Sequence, residues 1–175
     1  MCQWITSLGA LAMNNIILAG FMGTGKTTVG RVIAKQLGRR FIDSDQYIVT
    51  ITRKPIPEIF SGHGEAYFRQ LEAQTALELA KLSDVVIATG GGMFLNWDNY
   101  QTLARSGTVF CLHTPPETIQ TRLGADSERP LASNWATLYQ QRQSLYARIP
   151  HQIDTSERTP EEIAEQIIQL WQKLT

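Results

Sequence analysis

Gly20-x4-Gly25-Lys26-Thr27, inside GFMGTGKTTVG at residues 20–30, fits the pattern GxxxxGK[ST] in full. Glycines let backbone N–H groups turn inward around phosphate oxygens. A helix beginning at the lysine adds the partial positive charge of its N-terminus. Lys26 can then reach the β- and γ-phosphates, and the Thr27 hydroxyl can ligate Mg²⁺. The pattern lies between an apolar strand-like run and a helical one, which is the context that it requires. Gly23, Thr24, Gly25, Lys26, Thr27 and Thr28 are the expected nucleotide-binding residues.

FIDSD supplies two further candidates, Asp43 and Asp45. In an extended segment, positions two apart point the same way, so the two carboxylates are expected to sit together. One would hold a Mg²⁺ water and the other would accept a bond from a substrate hydroxyl. The competing reading is a solvated turn with a helix cap, since aspartate favours both. Arg69 and Glu72 are spaced i, i+3 on a helix face, and taken alone they read as a surface ion pair. TGGG at residues 89–92 permits close approach of a small ligand to the backbone, where a plain turn rarely needs three glycines. Arg129 lies in a charged, aperiodic stretch, GADSERPLASN at 124–134, with Arg122 just before it and Arg142 on the next helix. Arginines in such a segment can close over phosphates and shield them from water.

These residues need elements to position them. Residues 16–19, 40–43, 84–88, 108–112 and 152–154 read as short buried strands. Helical spacing of apolar residues appears over 27–37, 65–82, 97–105, about 116–123 and about 135–148, with a shorter helix at 56–60. The last helix is announced by Thr159, Pro160 and Glu162, a capping box with proline in the first turn. Its apolar stripe is Ile163, Ile167, Leu170, Trp171 and Leu174. Strands and helices alternate throughout, which predicts an α/β fold with a parallel sheet covered on both faces.

The chain has 175 residues, 43% hydrophobic and 18% charged, as expected for one globular domain. Sixteen basic and sixteen acidic residues give a net charge of zero. The lack of a basic run disfavours nucleic acid as the main partner. No apolar run is long enough to span a bilayer. Cys2 and Cys111 form no disulfide framework and no zinc spacing, which suits a reducing compartment. Residues 1–13 read as a poorly ordered extension, with Met13 as an alternative start, and 14–175 as the single domain.

Together, GFMGTGKTTVG, FIDSD, IPEIFSGHGEAYFRQLE, TGGG, ERPL and RQSLY resemble the shikimate kinases, over about residues 15–174. The resemblance implies a nucleoside-monophosphate-kinase-like three-layer sandwich with a central five-stranded parallel sheet. It also implies a substrate-binding region around 45–75 and a mobile lid near 122–134. The implied reaction uses ATP with Mg²⁺ to phosphorylate the 3-hydroxyl of shikimate, a step toward chorismate and the aromatic amino acids, in a cytoplasmic monomer. Lys26, Asp45 and Arg129 match the catalytic groups, with Arg129 near the transferring phosphoryl. Asp45, Arg69, Gly90, Gly91, Gly92 and Arg142 match the shikimate-binding set, the two arginines on its carboxylate. Thr27 and Asp43 match the metal-binding positions, and Arg122 the arginine near adenine.

This chain departs from the family pattern at RPLA, at Ser144 and in RIPHQID, which is one residue short. Two rival readings follow from the same loop. A kinase of another polyol acid, such as gluconate, would lack the paired arginines. A non-catalytic binding protein on the same fold would have lost Lys26, Asp45 or an arginine, and all are present.

Overall fold

The structure, a computed structural model, describes residues 14–124 and 134–175. The expectations for residues 1–13, for Arg129 and for most of the 124–134 loop lie outside the described residues.

Five strands, β1 Asn15–Ala19, β2 Arg40–Asp43, β3 Val85–Ala88, β4 Gly107–His113 and β5 His151–Asp154, form one parallel sheet in the order β2-β3-β1-β4-β5. β1 is central, with Ile17 opposite Ile87 on one side and Val109 on the other. All five of its residues are buried. Ile16 and Leu18 face one core layer and Ile17 and Ala19 the other, the period-two alternation of a strand covered on both sides.

Helices α1 Lys26–Leu37 and α7 Pro160–Leu174 build the first layer through Val29, Ile33, Ile163 and Ile167. The second layer is built by α4 Trp97–Ala104 and the C-terminal half of α3 Ile56–Ala80, through Ala76, Leu79 and Leu103. The Thr159 capping box is present: Thr159 N–H donates to Glu162 at 2.8 Å, and Glu162 N–H donates to the Thr159 hydroxyl at 3.2 Å. The α7 stripe fades at its end, where Leu174 is exposed. α5 Pro116–Gly124 and α6 Trp135–Tyr146 pack Ile119, Leu123, Leu138 and Tyr139 around Phe21.

Three features differ from the sequence expectation. The segment holding Asp43 and Asp45 is not extended throughout; Ser44 opens a helix, α2 Ser44–Thr52. SDQYIVTIT is rich in β-branched residues of low helix propensity. The helix holds because Asp43 caps it and Ile48 docks on Ile59, Phe68 and Leu71. The helices expected at 56–60 and 65–82 run together as α3, broken at Gly64, where φ is 79° and ψ 173°. A 3₁₀ turn, Met93–Leu95, follows the glycine run.

Because every strand runs the same way, all five C-terminal ends open on one edge. That edge carries the glycine loop after β1, Asp43 at the end of β2 and Thr89 after β3.

Candidate active site

The loop between β1 and α1 turns carbonyls toward Lys26. The Lys26 ammonium donates to the Gly20 and Phe21 carbonyls, both at 2.8 Å. Thr24 is buried and its hydroxyl returns to the Phe21 carbonyl at 2.8 Å, which ties the loop to itself. Thr27 lies in the first turn of α1, and its hydroxyl donates to Asp43 Oδ2 at 2.9 Å. Two elements distant in sequence thus present a hydroxyl and a carboxylate side by side. An all-oxygen pair of this kind suits a hard cation such as Mg²⁺.

Asp43 uses its other oxygen locally. Oδ1 accepts from the Asp45 N–H at 3.0 Å and the Gln46 N–H at 3.4 Å. Asp43 is therefore a helix cap and a partner of Thr27 at once. The geometric reason expected for the pair, two carboxylates on one side of an extended segment, is replaced by this cap. Asp45 lies in the first turn of α2 and its carboxylate packs on Gly90 instead.

Beside the loop is a cavity of ≈ 340 Å³ lined by Gly23, Gly25, Thr28, Arg122, Arg158 and Pro160, among others. Arg122 donates to the Gly23 carbonyl at 3.0 Å and to the Thr155 carbonyl at 3.2 Å. It is thereby held against both the loop and the end of β5. Arg158 is fixed by Gln166 at 2.5 Å and by the Glu162 carbonyl at 3.1 Å. The sequence reading used Pro160 only as a helix start and passed over Arg158. Its one signal was an arginine just after the last strand, on the ligand edge.

The glycine run is where three charged side chains from three helices meet. A Cβ on Gly90 would collide with the Asp45 carboxylate, and one on Gly92 with the Arg69 guanidinium. Gly91 lies 3.9 Å from Arg142 Nη1, measured from where its Cβ would be. Arg142 Nη1 donates to the Gly91 carbonyl at 3.1 Å, and the Tyr146 hydroxyl donates to the same oxygen. The Gly90 N–H is held by the buried Ser44 hydroxyl at 2.8 Å. Ser44 and Tyr146 entered the sequence analysis only as members of FIDSD and RQSLY and were given no role there, because both act on backbone atoms.

Arg69 and Glu72 are not a surface pair. The guanidinium meets Glu72 Oε2 at 2.6 Å, and the Glu72 side chain is 2% exposed. Burial pushes the Glu72 carboxyl above the usual carboxylate range; Arg69 opposes this and nearby Asp45 adds to it. For Arg69, burial acts to lower the pKa, but Glu72 and Glu65 outweigh it and raise the value. Glu65 meets Arg69 at 2.7 Å from the exposed side. Arg142 is itself buried. The edge of the sheet therefore joins a phosphate cradle to a compartment where the guanidinium groups of Arg69 and Arg142 lie with the carboxyl groups of Asp45 and Glu72. Chemically, it can hold a nucleotide and an anionic acceptor carrying hydroxyls.

Shikimate kinase is the family whose pattern matches this chain, over residues 22–172. A shikimate kinase of Thermodesulfovibrio yellowstonii is 41% identical over 169 residues, 93% of this chain and 98% of its own. The solved structure of the Acinetobacter baumannii shikimate kinase in complex with shikimate superposes with a TM-score of 0.86 at 37% identity, covering 94% of this chain and 96% of that one. A gluconokinase from Sinorhizobium meliloti superposes with a TM-score of 0.58 at 17% identity, over 92% of this chain and 95% of that one, a likeness of fold alone.

Proposed function

We infer the activity from one premise: this chain belongs to the shikimate kinase family. It is a kinase, and it transfers the γ-phosphoryl group of ATP to shikimate, giving ADP and shikimate 3-phosphate. The observation that supports the acceptor at the level of residues is the meeting of Asp45, Arg69 and Arg142 on Gly90–Gly92, next to the phosphate cradle.

Each residue has a physical role in this reading. Gly23, Thr24, Gly25, Lys26, Thr27 and Thr28 bind the phosphates, and Arg122 lies against the nucleotide in the adjoining cavity. Thr27 and Asp43 are the groups that would hold Mg²⁺, whose charge would offset that of the phosphates. Arg69 and Arg142 grip the shikimate carboxylate, and planar guanidinium groups can do so with two parallel hydrogen bonds. The bare backbone of Gly90, Gly91 and Gly92 lets the ring come close.

Asp45 accepts a hydrogen bond from the 3-hydroxyl and aims its oxygen in line with the γ-phosphorus. It need not be a strong base, because phosphoryl transfer is largely dissociative and little proton removal precedes the transition state. The proton passes to the Asp45 carboxylate as the new P–O bond forms and the bond from the γ-phosphorus to the bridging oxygen of ADP breaks. Lys26 and Arg129 stabilise the charge on the moving phosphoryl. The substrate-binding region spans about 45–75 and the lid about 122–134. A cytoplasmic monomer is the proposed working form.

The test is ADP production by the purified protein with Mg·ATP, alone, with shikimate, and with gluconate as control. Stimulation by shikimate alone is the expected result. Equal stimulation by gluconate, or none by shikimate while ATP still binds, would refute the acceptor.

A further inference from the structure

The Gly91 carbonyl is the one point where α6 holds the glycine run through hydrogen bonds. It accepts from Arg142 Nη1 at 3.1 Å and from the Tyr146 hydroxyl. The two donors are four residues apart, one turn of the same helix, so they reach the oxygen from one face. The neighbouring backbone groups of the run have other partners. Gly90 N–H goes to Ser44 at 2.8 Å, the Gly90 carbonyl accepts from Met93 N–H at 3.1 Å, and the Gly92 carbonyl from Leu95 N–H at 3.0 Å.

A carbonyl oxygen has two lone pairs, and here both are engaged. The Arg142 donor that serves Gly91 is part of the same planar fork that must serve a substrate carboxylate. When the carboxylate arrives, it competes with Gly91 for that fork. A second donor on the carbonyl removes the conflict, because Gly91 stays satisfied while the guanidinium adjusts. We propose that Tyr146 is a positioning residue for the acceptor: its hydroxyl holds the Gly91 carbonyl so that Arg142 can give its hydrogen bonds to the substrate carboxylate. The hydroxyl is suited to this. It is protonated at working pH, because burial pushes it well above the ordinary phenol value. Its ring also packs against two apolar clusters, the one around Phe21 and the second core layer.

The inference rests on the reading of Arg142 as a carboxylate contact, and the experiment separates the two. Tyr146→Phe keeps the ring and removes one hydrogen bond. The KM for shikimate is expected to rise about 5- to 10-fold, the loss of one hydrogen bond, while the KM for ATP stays within about twofold. The analogue whose carboxylate is reduced to a hydroxymethyl group is the discriminating probe. Its KM should not respond to Tyr146→Phe, because it makes no demand on the arginine fork. A merely structural role would raise the KM of both acceptors, or of ATP as well, and either result overturns the proposal. An unchanged KM for shikimate, or a variant that does not fold by thermal melt, overturns it too. Arg142→Lys is the parallel control. If it leaves the KM for shikimate unchanged, the carboxylate reading fails and the inference goes with it. If it raises that KM and Tyr146→Phe does not, the inference alone fails.

Discussion

At the scale of single residues, the site depends on side chains that do two things at once. Asp43 caps α2 and faces Thr27. Asp45 packs on Gly90 from the first turn of the same helix. Asp45→Asn keeps the size but weakens the acceptor for the substrate hydroxyl; kcat should fall ~100-fold or more while nucleotide affinity, read by calorimetry, is nearly unchanged. Retained activity would remove Asp45 from its role. Glu72 gives a prediction about stability. Its folded pKa is raised, so the folded state binds that proton more tightly than the unfolded state does. Its contribution is favourable below the unfolded carboxylate value and is lost as pH rises through the raised one. The stability of Glu72→Gln relative to the parent should therefore improve from about pH 4 to pH 7, followed by denaturant titration. A difference that stays constant across the range would show that Glu72 keeps its ordinary value.

At the scale of elements, α2 and α3 form a small unit of their own. Ile48, Ile59, Phe68 and Leu71 make a cluster separate from the main layers, with Ile56 and Phe60 against it. The same α3 then carries Ala76 and Leu79 into the core under the sheet. One helix thus joins the region that holds Arg69 to the sheet that positions the phosphate loop. The helix has a break at Gly64, ahead of Arg69, with φ 79° and ψ 173°, a conformation open to glycine and costly for other residues. Space is not the obstacle there, since nothing lies within 4 Å of an added Cβ. Gly64→Ala should cost about 1–3 kcal/mol of stability, measured by chemical unfolding, through backbone strain alone. A loss under a few tenths would mean that α3 can run straight without disturbing the small cluster.

At the scale of the whole molecule, the parallel sheet gathers onto one edge groups that are far apart along the chain. Thr27 meets Asp43, Arg122 meets Gly23, and Arg142 meets Gly91. Ligands bound across that edge would tie α1, α2, α3 and α6 together, so binding should stabilise the fold as a unit. ATP with Mg²⁺ at about a hundred times its dissociation constant should add about 2.7 kcal/mol, visible as a raised thermal midpoint. Chelating the metal should remove most of that gain, and adding Mg²⁺ should restore it. A midpoint that ignores the chelator would argue against Thr27 and Asp43 as a metal site. Among the described residues, no helix is long and apolar enough to cross a membrane.

The sequence by itself determined the strands, the phosphate loop and the helix signals, because each is a local pattern: apolar runs, glycine spacing, a capping box. It also contained Asp45, Arg69 and Arg142 as types, and the order of motifs identified the family. Local pattern failed at α2, where β-branched residues disfavour a helix that Asp43 and the Ile48 contact nevertheless hold. Only the tertiary structure decided which charges meet. The burial of Glu72 depends on the elements packed around α3. The contacts of Ser44 and Tyr146 are with backbone atoms of a distant loop, which leave no trace in residue type. Spacing records what lies on one helix face or one strand; it does not record what another segment brings to that face.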